Sequence, residues 1–387
     1  MSTDPQAGYD PLGLATVTDA QVGAPLRLRM ASPMIGDEEK SAVVEALGSG
    51  MLTNGPQTRL FEQAMAERQG TEHAVAMSNG TVALAAMLLA SGIGPGDEVI
   101  VPSLTFIATA TAVLHVGATP VFADVEADTF TLSVTDTERR ITPRTRAVIP
   151  VHYGGQVADM VGFRDLASAH RLCLLEDAAQ AHGALLNGRP AGSWGDAGMF
   201  SFTPMKLITT GEGAVVTTDD GDLAYQMRLL RNHGMDRQYH HEVLGWNWRI
   251  TEMQAAMGVH QVARLDHILE VKQTNARRFA ELLEPVAPVA VPVSSPGRLH
   301  PYTLYTLTME PAHRHAVADA LEAAGIETRF YFPPVHLQPV FATDAGPGPD
   351  LPVTEHLAER ILSVPFHARV TDDDLTEMAR IIEGATS

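Results

Sequence analysis

Between His73 and Thr218 the chain alternates short apolar runs with helix-length patterns, and few architectures accept that alternation. The runs are His73–Met77, Glu98–Val101, Val121–Val125, Ala147–Val151, Leu172–Glu176, Gly198–Phe202 and Ala214–Thr218. Most are apolar throughout instead of alternately apolar and polar, as in strands covered on both faces. Helical patterns at Thr81–Ala90, Ile107–Val116 and Met160–His170 separate most of them. The expected fold is therefore α/β: a three-layer α/β/α sandwich on a seven-stranded, mostly parallel sheet. The last two runs are joined without a helix, which leaves one of them free to run antiparallel.

The flanks read differently. Residues 1–36 form an N-terminal arm; Met1 to about Leu28 is rich in Gly, Pro, Thr and Asp and lacks a period. A helix is expected from Asp37, with Glu38 and Glu39 at its positive end and Gly48 as its stop. A second, Thr58–Gln69, puts Leu60, Phe61, Ala64 and Met65 on one face and ends at Gly70. Residues 37–250 are then one large domain. A long helical pattern from Thr251 to about Leu283 opens residues 251–387, and Pro288, Pro292 and Pro296 mark a change of texture. Strands at Tyr302–Met309 and Glu327–Phe332 and helices at Arg314–Ala324, Glu355–Leu362 and Asp372–Ile382 predict a smaller α+β domain.

Composition narrows the function classes. The formal net charge is −19, and so acidic a chain is repelled by phosphate backbones, which argues against nucleic-acid partners. Cys173 is the lone cysteine, so no intrachain disulfide or multi-cysteine metal site is available, and a reducing compartment fits. The most apolar uninterrupted stretch, Val82 to Ala90, is less than half the ~20 residues a bilayer needs. Asp4 and Asp10 lie near the start with no apolar core, unlike a secretory or transit leader. A cytoplasmic protein without a membrane partner is the expectation.

In open α/β sheets ligands bind beyond the carboxyl ends of the strands, so the residues that follow each strand carry the chemistry. Ser78-Asn79-Gly80-Thr81 precedes a helix and offers free amides to a phosphate; an ordinary capped turn is the competing reading. Glu176-Asp177-Ala178-Ala179-Gln180 ends the fifth strand with an acid facing the crevice and two alanines that admit a flat group. The sixth strand runs through Ser201 into Lys206 and then Thr209-Thr210-Gly211-Glu212-Gly213. A lysine in a largely apolar pocket loses its charge readily and condenses with aldehydes. A phosphate cup, a lysine, an acid and a flat wall together suit pyridoxal 5'-phosphate, with Phe106 available to stack on the ring.

At this point the sequence resembles the DegT/StrS-type aminotransferases, best known for aminating nucleotide-linked keto sugars. The likeness runs from about Asp37 to Ile382. It rests on GSGMLTNGPQTRLFE (48–62), SNGTVAL (78–84), GDEVIVPSLTFIATATAV (96–113), EDAAQAHGA (176–184), SFTPMKLITTGEG (201–213), RNHG (231–234), GWNWRITEMQAAMG (245–258), HLQPVF (336–341) and LSVPFH (362–367). The resemblance implies a role for each matching residue. Lys206 would bind the cofactor's aldehyde, Asp177 would pair with its ring nitrogen, and Gln180 would touch the ring hydroxyl. Gly80, Thr81 and Ser201 would hold its phosphate. Asn247 would reach the phosphate in a neighbouring subunit, implying a homodimer with shared sites, and Arg249, Tyr331 and His336 would contact substrate. The chain departs from many relatives at Leu207, where Asn is common, at Ala214, where a second Gly is usual, and at Trp246 and Trp248, where tyrosines are common.

Other motifs weigh less. Gly92-Ile93-Gly94-Pro95-Gly96 precedes a strand instead of following one, so it is a turn and not a dinucleotide fingerprint. His233, His240, His241 and Glu242 lack an accompanying metal-ligand pattern, and no metal is expected. The expected activity is transamination from an amino acid, glutamate foremost, to a keto sugar on a nucleoside diphosphate. A cyclitol or other non-sugar ketone, a dehydratase on the same scaffold, and a non-catalytic sensor are the alternatives. Lys206 argues against the dehydratase, since related dehydratases carry histidine at that position.

Overall fold

A computed structural model describes residues 26–341 and 348–387; the greater part of the N-terminal arm therefore lies outside the described residues. The first two helices are α1 (Asp37–Gly48) and α2 (Pro56–Gln69). Pro56 opens α2 at a position where its missing N–H costs nothing, and Gly70 closes it with φ 65°.

The central sheet follows: β1 (His73–Met77), β2 (Glu98–Pro102), β3 (Thr119–Ala123), β4 (Thr145–Val148), β5 (Cys173–Asp177), β6 (Ala197–Ser201) and β7 (Ala214–Thr218). Their spatial order is β1-β7-β6-β5-β4-β2-β3. All neighbours pair parallel except at β7, which is antiparallel to both β1 and β6. Residues 202–213 join β6 to β7 without a helix, and β7 returns beside β6 in the opposite direction, as strands joined without a crossover do.

The connections are α3 (Gly80–Ala90), α4 (Ala108–His115), α5 (Val134–Arg139), α6 (Met160–His170) and α7 (Gly221–Arg231). In α3 the residues from Ala83 through Leu88 are all buried. Burying Leu84, Met87 and Leu88 stabilises by about 1.5–3 kcal/mol each, which explains a helix with no charged residue. Side chains cap α6 and α7: Asp159 accepts from the Gly162 amide, and Asp220 from those of Asp222 and Leu223, whereas α4 has no side-chain cap.

The 32-residue α8 (Glu252–Leu283) starts with a capping box between Thr251 and Gln254. It packs against α1 and α2 at one end and against the C-terminal helix, α11 (Asp372–Thr386), at the other. Beyond it lie β8 (Val289–Ala290), β9 (Tyr305–Met309), α9 (Pro311–Ala323), α10 (Pro352–Ala358), β10 (Ile361–Val364) and α11 (Asp372–Thr386). These build a three-stranded antiparallel sheet, β8-β9-β10, around Tyr305, Leu307, Leu362 and Val364. Leu28 joins this core and bridges to Ile326.

Two sequence expectations are corrected here. Glu327–Phe332 is not a strand; it makes only one bridge, Arg329 to Ser363. The helix expected at Glu355–Leu362 covers Pro352–Ala358, and Ile361 and Leu362 instead begin β10. Their apolar run finds register against Tyr305–Thr308, a long-range pairing that outweighs the local helical pattern. Among the described residues no helix is long and apolar enough to cross a membrane.

Candidate active site

The carboxyl ends of β1, β5 and β6 open into a cavity of about 760 Å³. Lys206, Asp177, Gln180, Ser201, Gly80, Thr81, Phe106 and Tyr331 all line it. They come from five separate segments, brought together because parallel strands deliver their carboxyl ends to one edge of the sheet.

At one end lies the N-terminus of α3. Asn79 caps the helix by accepting from the Val82 amide at 3.1 Å, so the capped-turn reading is correct for Asn79. The amides of Gly80 and Thr81 have no partner among the described residues, and the Ser201 hydroxyl faces the same cavity. A side chain at Gly80 would lie 3.6 Å from the Cβ of Ser201 and 3.4 Å from the sulfur of Met199. Those are ordinary contacts, so it is the unpartnered amides of Gly80 and Thr81 that make this helix end a cradle for an anion.

Asp177 sits at the floor, only 5% exposed. Its Oδ2 accepts from the Thr109 hydroxyl at 2.7 Å and its Oδ1 from the Ala179 amide at 3.1 Å. Burial pushes its carboxyl up; the Thr109 and Ala179 donors, then Lys206 and His152, pull it back down. Thr109 was not legible as a site residue, because a contact across 68 positions leaves no local trace. Directly before Asp177, buried Glu176 accepts from the amides of Gly192, Trp194 and Gly195 and pairs with His152 at 2.9 Å. That anchorage fixes the end of β5.

Lys206 follows β6 in a turn held by its own amide to the Thr203 carbonyl and by Thr210 to Phe202. Burial lowers its pKa to about 8, with Asp177 opposing. The amine is thus poised to lose its proton near neutrality. Gln180 accepts from the Gly154 amide through Oε1 at 2.6 Å, which leaves its Nε2 as a donor. Phe106 is 57% exposed, unusual for so large an apolar ring, and meets Phe332 edge-on at 6.1 Å. The Phe330–Pro333 segment and Glu212 complete the rim.

Three residues singled out from the sequence lie outside this cavity. His336 is buried, with Nδ1 2.6 Å from the Ser103 hydroxyl and Nε2 3.3 Å from Glu355. Arg249 donates to the Asn232 side chain at 2.9 Å. Asn247 is exposed, and its backbone bridges to Asn232. Its neighbours Trp246 and Trp248 stack at 4.5 Å and 3°. A second hollow of about 780 Å³ lies along α2 and α7, where Arg231 is tied to Glu62 at 2.6 Å. Size does not distinguish the two; the lysine facing a buried carboxylate does.

A lysine, a buried acid, unpartnered helix amides and an exposed aromatic around one cavity, on this sheet order, define a pyridoxal-phosphate enzyme of fold type I. The model of the DegT/DnrJ/EryC1/StrS aminotransferase family matches residues 33–383, and the chain belongs to that family. It is an aminotransferase that uses pyridoxal 5'-phosphate, and the cavity fits that cofactor through the orphan amides and the cradle at Gly80. The chain is 40% identical over 365 residues to the GDP-perosamine synthase of Caulobacter vibrioides, covering 92% of this chain and 98% of that protein. It is 42% identical over 348 residues to a UDP-N-acetyl-3-dehydro-alpha-D-glucosamine 3-aminotransferase of Acidithiobacillus ferrooxidans, covering 89% and 93%. Among solved structures, DesV of S. venezuelae in complex with a ketimine intermediate superposes with a TM-score of 0.87 at 38% identity, covering 91% and 95%.

Proposed function

We propose that this aminotransferase moves an amino group from an amino acid, L-glutamate foremost, to the ketone of a sugar carried on a nucleoside diphosphate. The acceptor in this reading is a 4-keto-6-deoxy or 3-keto-6-deoxy sugar, made for a deoxyaminosugar or polysaccharide. One observation carries the chemistry: Lys206 and Asp177 line the same cavity as the unpartnered amides of Gly80 and Thr81. The acceptor class is supported by relatives named for GDP- and UDP-linked sugars.

Gly80, Thr81 and Ser201 would hold the cofactor phosphate, and Phe106 would cover its ring. Asp177 accepts from the ring nitrogen, and Gln180 Nε2 donates to the ring hydroxyl. The bound cofactor supplies an electron sink for cleavage of the donor's α-C–H bond. Lys206 would hold the cofactor at its aldehyde carbon and, when its amine is free, would take the donor's α-proton and later return one. A pKa lowered to about 8 suits that exchange, since a general base works best near the operating pH. Asp177 keeps the ring nitrogen protonated, because an opposite charge within ~4–6 Å raises a base's pKa by roughly 1–3 units.

Tyr331 contacts the substrate from the rim. Arg249 and Asn247 act across a two-fold interface, so that each site of a homodimer borrows from its partner; the exposure of Asn247 outside its own cavity supports this. His336 lies outside this cavity, held between Ser103 and Glu355, and has no substrate contact in this reading.

The test has two stages. Holoenzyme is mixed with L-glutamate, and the absorbance of the aldehyde form should disappear as 2-oxoglutarate forms. The aminated enzyme is then challenged with keto-sugar nucleotides and with a cyclitol ketone. Recovery of the aldehyde band with the nucleotide sugars alone is the expected result. No reaction with any amino-acid donor would leave a sensor, water loss without amine transfer a dehydratase, and recovery with the cyclitol alone a non-sugar enzyme.

A further inference from the structure

We propose that Lys272, with the small cavity it lines, forms a binding site for a single halide anion, chloride under ordinary conditions. The chain has three lysines, Lys40, Lys206 and Lys272. Lys40 lies on the surface in an ion pair with Asp37, and Lys206 faces the active site. Lys272, on the inner face of α8, is only 4% exposed. Among the described residues it makes no hydrogen bond and no salt bridge; its recorded contact is with the Phe366 ring, 5.5 Å from the ring centre.

A buried ammonium without a counter-charge is among the least favourable arrangements in a protein interior. This chain has 46 acidic residues against 27 basic ones, so a carboxylate partner is available in composition. No Asp or Glu lines the cavity. The walls instead offer Lys206, Lys272, His367, Thr303, whose hydroxyl already donates to the Gln180 carbonyl, and Ser32, whose hydroxyl makes no hydrogen bond among the described residues. Two imidazoles stand near the ammonium. His300 accepts from the Tyr302 amide through Nδ1 at 2.8 Å, and His367 from the Arg369 amide through Nδ1 at 3.2 Å. Burial, with repulsion from Lys272 next, keeps His300 down at about 3 and His367 at about 4. Each is therefore neutral at pH 7, with its proton on Nε2. His367 also has the Arg29 carbonyl and the Asp374 carboxylate on its side, but neither lines the cavity, so around Lys272 itself the lining side chains are donors without an acid among them.

Size selects the occupant. The void measures about 30 Å³, and one water needs roughly 10–15 Å³ by the same measure. That admits a monatomic anion and excludes a nucleotide or a sugar. Burial alone brings Lys272 to about 7, and an adjacent anion would restore its charge. The same cavity is walled by Lys206 itself with its neighbours Met205 and Leu207, and by Pro33 and Ala368, so it lies directly behind the active-site lysine. An anion here would brace the turn that carries Lys206 against the N-terminal segment and the smaller domain.

Crystals of the holoenzyme grown in bromide test this directly. An anomalous peak within about 3.5 Å of Lys272 Nζ is expected. A water without anomalous signal, or a side-chain carboxylate on Nζ, would overturn the proposal. In solution, chloride or bromide replaces gluconate at fixed ionic strength while the thermal midpoint is followed. Wild type should gain a few degrees in a saturable manner. Lys272→Met and Lys272→Gln should gain none. Equal halide responses in wild type and in either variant would also overturn it, and if neither variant folds the bromide map decides.

Discussion

At the scale of single residues, the site depends on two opposed perturbations. Burial works against the charge on both Asp177 and Lys206, and each partly relieves the other. Asp177→Asn keeps the shape and the Thr109 contact but removes the charge. The variant should still bind the cofactor through the cradle at Gly80. Single-turnover amination by glutamate should fall by about two orders of magnitude, the size of loss typical when one preorganised electrostatic contact is removed. Amination at the native rate would mean that Asp177 only packs the end of β5. Lys206 gives a separate pH test. Its folded value of about 8 lies below the ordinary lysine range, so in cofactor-free protein the reactive amine appears as pH rises through 8. Reductive methylation followed by peptide mapping should show half-maximal labelling of Lys206 near pH 8, and Lys40 only at much higher pH. Coincident labelling curves would contradict the burial of Lys206.

At the scale of elements, the first residue of α8 organises another helix. Glu252 is 1% exposed, and its carboxylate accepts from the amides of Gly55, Gln57 and Thr58 at 2.9, 2.7 and 3.0 Å and from the Thr58 hydroxyl. It thus caps the positive end of α2 from a position 194 residues away. A Cβ at Gly55 would come within 2.5 Å of Glu252 Oε2, so glycine is needed for this approach. Glu252→Ala leaves several amides unpaired in a buried place and should cost about 2–4 kcal/mol, read as a lower denaturant midpoint. Glu252→Gln, which keeps acceptor oxygen, should recover part of that loss. Native stability in the alanine variant would show that water serves α2 equally well.

At the scale of the whole molecule, Asn247 decides between a self-contained site and a shared one. Ser78 donates its amide to the Trp248 carbonyl at 2.9 Å, so this segment abuts the phosphate end, yet Asn247 itself lies outside the cavity and exposed. Lys206→Ala and Asn247→Asp, each first shown to be inactive, are mixed and allowed to exchange subunits. A heterodimer then has one site with both defects and one with neither. Activity should return to about a quarter of native with random exchange. If proven exchange restores nothing, Asn247 acts within its own subunit.

Much of this protein was legible without coordinates. The alternation of buried runs and helical patterns determined the seven-stranded sheet, because short-range periodicity reports which faces are covered. The lack of a helix between the last two runs left one strand free to reverse, and β7 is that strand. Lys206 and Asp177 were legible as lining one crevice because strand ends in such a sheet point at one edge, and it was the set of lysine, acid and helix-end amides together, not either residue alone, that pointed there. Which side chains turn into the crevice was decided only by tertiary structure. His336 and Tyr331 stood equal in the sequence; His336 turns to Ser103 and Glu355, whereas Tyr331 faces the cavity. Ile361 and Leu362 looked helical until Tyr305–Thr308 offered a strand to pair with. Thr109 beside Asp177, Glu252 at the head of α2 and the unpaired Lys272 are products of contacts between distant segments. Periodicity carries the solvent-facing pattern of one segment; it carries nothing about the identity of the group a fold brings against it.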